Sequence, residues 1–555
     1  MIIVVSVSKV LLFGSILVKS VSGLWPIPQS YTSGSGNVMV DLDRLTIINS
    51  GCASDILSRA ITRYSCLIKK EKFSPPLDYN ISAISPVATL SRLEITVNYD
   101  NTVLNLDTDE SYSLVVNNDG SSCLEANSVY GAIRGLETFS QIIVDNYGKK
   151  IIKNTPISIQ DAPTFKHRGI LLDTSRNYYS LDSIKRTIDG MAYTKLNVLH
   201  WHIVDSQSWP VESKFLPDLY KKGAYSLDMV YMHTDVTNII DYARDRGVRV
   251  IPEFDVPGHT YIVGKAKPEI MSCLDVQPRW DLNAAEPPSG QLNIAKQGAL
   301  DFTGNVLDEY ASLFTDNVFN VGGDEVNRNC WNEDPYFIQY LSENPTEDVE
   351  SVLRSYYAFV YAKVAALNKT PMCWEETLMH TNFSLPTNTI VQAWIDEASV
   401  PEIVNRGYRV VASPYTSSYL DCGHGAWLSN WVNGNSWCDP FKSWMKVYSY
   451  NPLVNITTPA ARSLVLGGEV ALWAEQSDEI VVDKLLWPRA AAAGELYWSG
   501  PYVPNTTTKR DINDAAIRIS EHRFRLLARG IQAEPTQPLW CIRNPGHCNL
   551  PETLL

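Results

Sequence analysis

The sequence predicts a (β/α)8 barrel from about residue 164 onward, preceded by a small α+β domain. Three observations predict it. Eight short runs of strand character alternate with helical stretches after Phe165, the pattern of a parallel sheet with crossover helices. Nearly every run ends in acidic, histidine or tryptophan residues, and in such a barrel the carboxyl ends of all strands open on one mouth. The 555 residues exceed what one compact core organises, so a second, smaller unit is expected.

On this reading the chain has four parts, residues 1–23, 24–163, 164–530 and 531–555. The first holds the apolar run Val10 to Val18 followed by Ser20, Ser22 and Gly23, too short to span a bilayer comfortably and built like a cleaved secretory signal. In the second, Ser91 to Val97 and Tyr112 to Val116 have strand character, and Asn117-Asn118-Asp119-Gly120 signals a hairpin. Val129, Ile133, Leu136, Phe139 and Ile142 recur at helical spacing, giving one strong helix over 127–142 to cover the sheet. The fourth part is a short tail containing Pro and Cys, expected to dock on the barrel.

The eight barrel runs begin at Gly169, Asn197, Arg249, Val318, Met372, Thr389, Arg409 and Gly468, with helices expected over 181–193, 234–246 and 349–367 between them. The first run leads into Asp173 and Arg176, the second into Asp205, the third into Asp255 and His259, and the fourth into Asp324-Glu325. The fifth ends at Trp374, the sixth at Trp394 and the eighth at Trp473 and Glu475, while Tyr419 and Asp421 sit in the long connection after the seventh. Arg168 precedes the first strand, so it should lie away from the mouth as a structural ion-pair partner.

The stretch Val321-Gly322-Gly323-Asp324-Glu325 stands out. Neighbouring side chains of a regular strand point to opposite faces, so adjacent acids share a site only if the backbone twists, and the glycines permit that twist. Adjacent carboxyls disfavour each other's ionisation, so one of the two should be pushed up and serve as a proton donor near neutral pH.

The net charge of −14 and the lack of any basic run exclude a nucleic-acid partner. No segment after the first is long and apolar enough to cross a membrane. Fifteen Trp and 28 Tyr are a heavy aromatic load, and such rings often line sites for partly apolar ligands such as sugars. Ten cysteines fit an oxidising compartment. Cys541 with Cys548, Cys422 with Cys438, Cys52 with Cys66 and Cys273 with Cys330 are plausible partners, and Cys373 reads as a buried free thiol. Sequons at Asn80, Asn382, Asn455 and Asn505, with a poorer one at Asn368, agree with a secreted glycoprotein.

The motifs His167-Arg168-Gly169, Asp173-Thr174-Ser175-Arg176, His200-Trp201-His202-Ile203-Val204-Asp205, Glu253-Phe254-Asp255-Val256-Pro257-Gly258-His259, Gly322-Gly323-Asp324-Glu325 and Leu472-Trp473-Ala474-Glu475 resemble glycoside hydrolase family 20, most nearly the secreted β-N-acetylhexosaminidases of yeasts and other fungi. The resemblance spans almost the whole mature chain. It implies exo-acting, retaining hydrolysis of terminal β-linked N-acetylglucosamine or N-acetylgalactosamine, in which the substrate's 2-acetamido oxygen attacks the anomeric carbon and closes an oxazolinium ring. Glu325 would then be the acid and base, with Asp324 holding the acetamido N–H and Tyr419 donating to the acetamido oxygen. Trp374, Trp394 and Trp473 would wall the acetamido methyl and sugar face, Arg176, Asp421 and Glu475 would close the far end, and His259 with Asp205 would support Glu325. The resemblance calls for no cofactor and no metal. It implies a chitooligosaccharide or glycan substrate, a homodimer, and an extracellular, wall or vacuolar address.

Other readings compete. Asp255 either orients the base network or caps a turn, and Trp201, Trp209 and Trp487 read as core residues. His200-x-His202 at a barrel strand end is a metal-hydrolase signal, although period two places both opposite Asp205 and further ligands are lacking. A non-catalytic sugar-binding barrel would keep the aromatic rings without needing the acid pair. The Asp-x-x-Asp-x-Asp-x-Glu signature of endo-chitinase barrels is absent from the sequence.

Overall fold

The computed structural model describes residues 23–51, 53–77, 86–146, 148–381 and 383–551. The expected signal segment, save Gly23, lies outside them, as do Asn80, Asn382 and Cys52 with its expected bridge to Cys66.

All eight expected runs are strands of one closed parallel barrel, His167–Asp173, Val198–His202, Arg249–Glu253, Val318–Asn320, Thr370–Trp374, Ile390–Ala393, Arg409–Ala412 and Val465–Leu472. The last strand pairs with the first, from Gly467 opposite His167 to Leu472 opposite Leu172. The crossover helices form where amphipathic spacing meets a cap. Ser180 Oγ accepts the Ser183 amide at the start of Leu181–Tyr193, and Asp348 with Ser351 makes a capping box ahead of Val349–Ala366. The latter helix buries Val352, Leu353, Tyr356, Tyr357, Val360, Tyr361 and Val364, a stripe at the 3.6-residue period laid on the outside of the barrel.

Inside the barrel the side chains are layered by polarity. Val198, Ile251, Val318, Met372, Ile390, Val411 and Leu466 plug the amino end, one from each of seven strands, as the filling of such barrels requires. Above them lies a buried polar tier of His167, His200, His202, Glu253, Gln392 and Glu469. Above that, Trp374, Tyr419 and Trp473 cluster at the carboxyl end.

The N-terminal unit is an eight-stranded sheet covered by helices. The expected hairpin joins Tyr112–Val116 to Ser122–Ala126, and the expected helix is Val129–Ile142. A second helix, Asp55–Lys70, was not anticipated, although Ser54 caps it and Ile56, Leu57, Ala60, Tyr64 and Ile68 mark its buried face. Residues at the strand ends of the sheet and the helix Val129–Ile142 meet the amino ends of the first three barrel strands through buried ion pairs and hydrogen bonds. Glu110 binds Arg168 at 2.6 Å and Arg134 at 2.8 Å, Arg134 also donates to the Gly247 carbonyl, and Asp161 binds Lys195 at 2.8 Å. Arg529, from the end of the last barrel helix, reaches Glu71 and Glu137 at 3.0 and 2.8 Å. Arg168 is therefore the structural partner its position foretold, on the side away from the mouth.

Cys273–Cys330, Cys422–Cys438 and Cys541–Cys548 are bridged. Cys373 is a buried free thiol, pushed up to about 12 by burial. Trp201, Trp209 and Trp487 are core residues. Asn455 and Asn505 stand exposed at positive φ, as does Asn368. No helix among the described residues is long and apolar enough to cross a membrane.

Candidate active site

The turn after the fourth strand sets the geometry. Gly322, Gly323 and Glu325 take φ of 65°, 98° and 49°. A Cβ on Gly322 would lie 1.8 Å from Asp255 Oδ1, and one on Gly323 2.5 Å from Thr377 Oγ1, so only glycine lets the backbone close over those side chains. The twist takes Asp324 and Glu325 out of strand alternation, and both line one cavity of about 480 Å³ at the barrel mouth. Glu325 and His259, at φ 53°, are left-handed without glycine's freedom, a strain that gathers at functional sites.

Asp324 and Glu325 sit in different surroundings. Asp324 is buried, whereas the Glu325 side chain is 35% exposed. His259 Nε2 lies 3.2 Å from Glu325 and 3.7 Å from Asp324, while its Nδ1 lies 3.1 Å from Asp205. Burial opposes charge on His259, but Asp205 and Asp324 outweigh it and push the imidazole well above its ordinary range. Asp324 is pushed well above the ordinary carboxylate range, by burial and by facing Asp255.

The polar tier below feeds this pair. Glu469 bonds His167 and His200, Glu253 bonds His200 and His202, and His202 Nε2 meets Asp205 at 2.9 Å. Burial opposes charge on both histidines, yet the carboxylates push His200 to about 9 and His202 to about 10. His202 thus touches Asp205 instead of lying on the opposite face. Period two holds only while the strand runs, and the strand ends at His202, so residues 203–205 turn back. With all four ring nitrogens of His200 and His202 engaged by carboxylates, no lone pair is left for the metal these histidines had suggested.

Aromatic rings enclose the cavity beside Asp324. Tyr419 stacks on Trp394 with centroids 6.2 Å apart and an interplanar angle of 13°, and lies 6.0 Å from Trp473. Trp374 stands behind the cavity wall, packed on Trp473 at 6.0 Å, with its indole N–H donated to Glu253 at 2.7 Å. Trp394 donates to Glu376. At the far end Arg176 lies over the Trp473 ring at 5.1 Å and binds Asp205 at 2.9 Å. Asp421 and Glu475 line the same end. Burial pushes Asp421 up to about 7, and burial with Glu286 raises Glu475 well above its ordinary range.

Glu286 was missed in the sequence. It grips Arg176 at 2.6 Å from the loop between the third and fourth strands, so the strand-end rule does not reach it. The available signal was Cys273–Cys330, which ties that loop to the segment following Glu325. Trp427, Trp431 and Trp437 were missed as well. They stand on the loop closed by Cys422–Cys438 and are 37, 55 and 61% exposed on the outer rim.

Two family descriptions match the chain, "Glycosyl hydrolase family 20, catalytic domain" over residues 165–501 and "beta-acetyl hexosaminidase like" over residues 24–142. The chain is 36% identical over 548 residues to the chitooligosaccharidolytic beta-N-acetylglucosaminidase of Ostrinia furnacalis, covering 95% of this chain and 89% of that one. It is 34% identical over 475 residues to the beta-hexosaminidase of Emericella nidulans, covering 80% and 78%. Among solved structures, the Flavobacterium johnsoniae chitobiase superposes with a TM-score of 0.74 at 26% identity, over 94% of this chain and 74% of that one. An acid pair at a barrel mouth, an aromatic enclosure beside it and these likenesses have one reading: the chain belongs to glycosyl hydrolase family 20 and is a glycosidase of the β-N-acetylhexosaminidase class.

Proposed function

We propose that the enzyme removes terminal non-reducing N-acetylglucosamine from chitooligosaccharides with retention of configuration, the substrate's own acetamido oxygen serving as nucleophile. One observation carries this reading. The two carboxyls are successive residues on one turn, with Asp324 buried beside the aromatic enclosure and Glu325 at the open edge. They cannot flank a sugar ring from opposite faces, as a protein nucleophile or base would need to, so the nucleophile has to come from the substrate.

In this scheme Trp394 and Trp473, backed by Trp374, confine the acetamido methyl, Tyr419 donates to the acetamido oxygen, and Asp324 accepts the acetamido N–H. The oxygen then closes on the anomeric carbon. Glu325, which reaches solvent, gives its proton to the departing oxygen and later takes one from the water that opens the oxazolinium ring. The charge developing on that ring faces Asp324 in a largely dry enclosure, where a fixed anion stabilises it strongly. Asp205 and His259 hold Glu325 in place. Arg176, Asp421 and Glu475 bind the outer hydroxyls and block further sugars, which makes the action exo. Family resemblance supports acceptance of N-acetylgalactosamine as well.

The exposed faces of Trp427, Trp431 and Trp437 support a chain of further sugars on the leaving side. Exposed sequons at Asn455 and Asn505 and three disulfides support export as a glycoprotein, and family resemblance supports a homodimer. The test is the anomeric configuration of the first sugar released from an aryl chitobioside, followed by proton NMR. The β-anomer is expected, and release of the α-anomer overturns the scheme.

A further inference from the structure

Asp255 has no part in the steps above. It follows the third strand, is 3% exposed and does not line the cavity, yet it lies directly beneath the acid turn. Carboxyl oxygens of Asp255 and Asp324 and a ring nitrogen of His259 come within 4.8 Å of one another. Asp255 Oδ1 accepts the Gly323 amide at 2.7 Å. Its other oxygen, Oδ2, and Asp324 Oδ1 are both buried, and neither receives a hydrogen bond. Two facing carboxylates would leave both acceptors unpaired and repel each other, and one proton held between them removes both costs.

We propose that Asp255 works as a protonated acid, its Oδ2–H donated to Asp324 Oδ1, so that Asp324 is fixed in one orientation and presents its other oxygen, charged, to the substrate's acetamido N–H. This rests on the orienting role proposed for Asp324. Asp255 is a positioning residue, since it acts on the substrate only through its neighbour.

Two features put the proton on Asp255. It is the deeper carboxyl and has the charge of Glu253 close by. Asp324 opens on the cavity, and its Oδ2 is 3.7 Å from the His259 imidazolium, which favours the anion there. Burial, with Glu253 adding, pushes Asp255 up to about 7 against the pull of His259, of the contact with Asp324 and of the Gly323 amide. Burial and the contact with Asp255 push Asp324 well above its ordinary range too, so the pair keeps one proton near neutrality, and it is the geometry, the open cavity and the imidazolium beside Asp324, that assigns this proton to Asp255. The other groups facing the pair are the carboxyls Glu325 and Glu376 and the phenols Tyr356, Tyr357 and Tyr419. Burial raises all three phenols, so they stay neutral while the pair titrates.

The experiment compares Asp255→Asn and Asp255→Ala by kcat/KM against pH on an aryl N-acetyl-β-glucosaminide. In Asp255→Asn the side-chain carbonyl still accepts the Gly323 amide and the NH2 donates permanently to Asp324. We expect it to lose less than about tenfold at its optimum, whereas Asp255→Ala, which strands a buried acceptor, loses about 100-fold. A donor that cannot titrate also moves the alkaline limb of the Asp255→Asn profile up by about one pH unit. If Asp255→Asn falls as far as Asp255→Ala, or if its alkaline limb stays in place, the shared proton is refuted. The wild-type stereochemical test separates the two readings. Inversion there removes the role of Asp324 itself, while retention with either failing result removes only the role of Asp255.

Discussion

Glu325→Gln separates proton donation from every other contribution of the acid turn. The substitution keeps the size of the side chain and a hydrogen-bonding group 3.2 Å from His259, while removing the transferable proton. General acid catalysis supplies about 10²–10⁴-fold, or roughly 3–5 kcal/mol of barrier, when the leaving group needs the proton. A sugar alkoxide needs it, whereas a nitrophenolate largely does not. The expected loss in kcat/KM is therefore about 10²–10⁴-fold on chitobiose but only about tenfold or less on a nitrophenyl N-acetyl-β-glucosaminide. The quantity to compare is kcat/KM, because it reports bond cleavage alone and excludes the later ring-opening step that also uses Glu325. Inhibitor binding should change little, which checks that the pocket is intact. Equal losses on the two substrates, or near-normal cleavage of chitobiose, would refute the assignment of Glu325 as acid.

Asp324→Asn should weaken inhibition by thiazoline mimics of the cyclised intermediate by about 10- to 100-fold, since a charge-assisted contact is lost, and an unchanged inhibition constant speaks against its orienting role. Trp437→Ala should raise KM for chitotriose by about fivefold, with less than twofold change for an aryl monosaccharide; equal effects on both would mean the ring does not stack on the leaving chain. The polar tier makes stability depend on pH. His200 and His202 are raised above their unfolded value, so their contribution is complete below about 6.5 and is lost as pH rises through about 9 and about 10. Despite burial, His200 and His167 pull Glu469 down to about 2, so its contribution is present above the unfolded carboxylate range and lost only as pH falls through that value. Thermal unfolding midpoints should fall from pH 8 to pH 10, and a flat profile there would contradict the charged tier.

The barrel was legible because each strand is a short apolar run with a polar end, and that alternation survives any detail of packing. The glycines at Gly322 and Gly323 announced a distorted strand end, and the structure shows what they make room for, the carboxyl of Asp255 and the hydroxyl of Thr377. Ten of the eleven residues expected to act on substrate or support the acid line one cavity, with Trp374 behind its wall. Glu286 and the rim tryptophans were not legible, because they come from long loops whose approach to the mouth is set by disulfides rather than by strand periodicity. The reach of Asp205 back to His202 was misjudged for a related reason, since a periodic rule was carried past the last residue of its strand. Helix Asp55–Lys70 carried both a cap and an amphipathic face, and was overlooked among the neighbouring strands.

The seam between the two halves bears on what can be cut from this chain. From the front unit, Glu110, Asp161, Glu71 and Glu137 neutralise Arg168, Lys195 and Arg529 of the barrel in places water does not reach. Deleting the front unit would take the partners from all three at about 3–5 kcal/mol each, comparable in total with the roughly 5–15 kcal/mol by which a domain is ordinarily stable. The rear half is thus not a portable cassette. Truncations meant to yield a minimal hydrolase should give insoluble chains, and any recombinant fusion has to inherit both halves as one block.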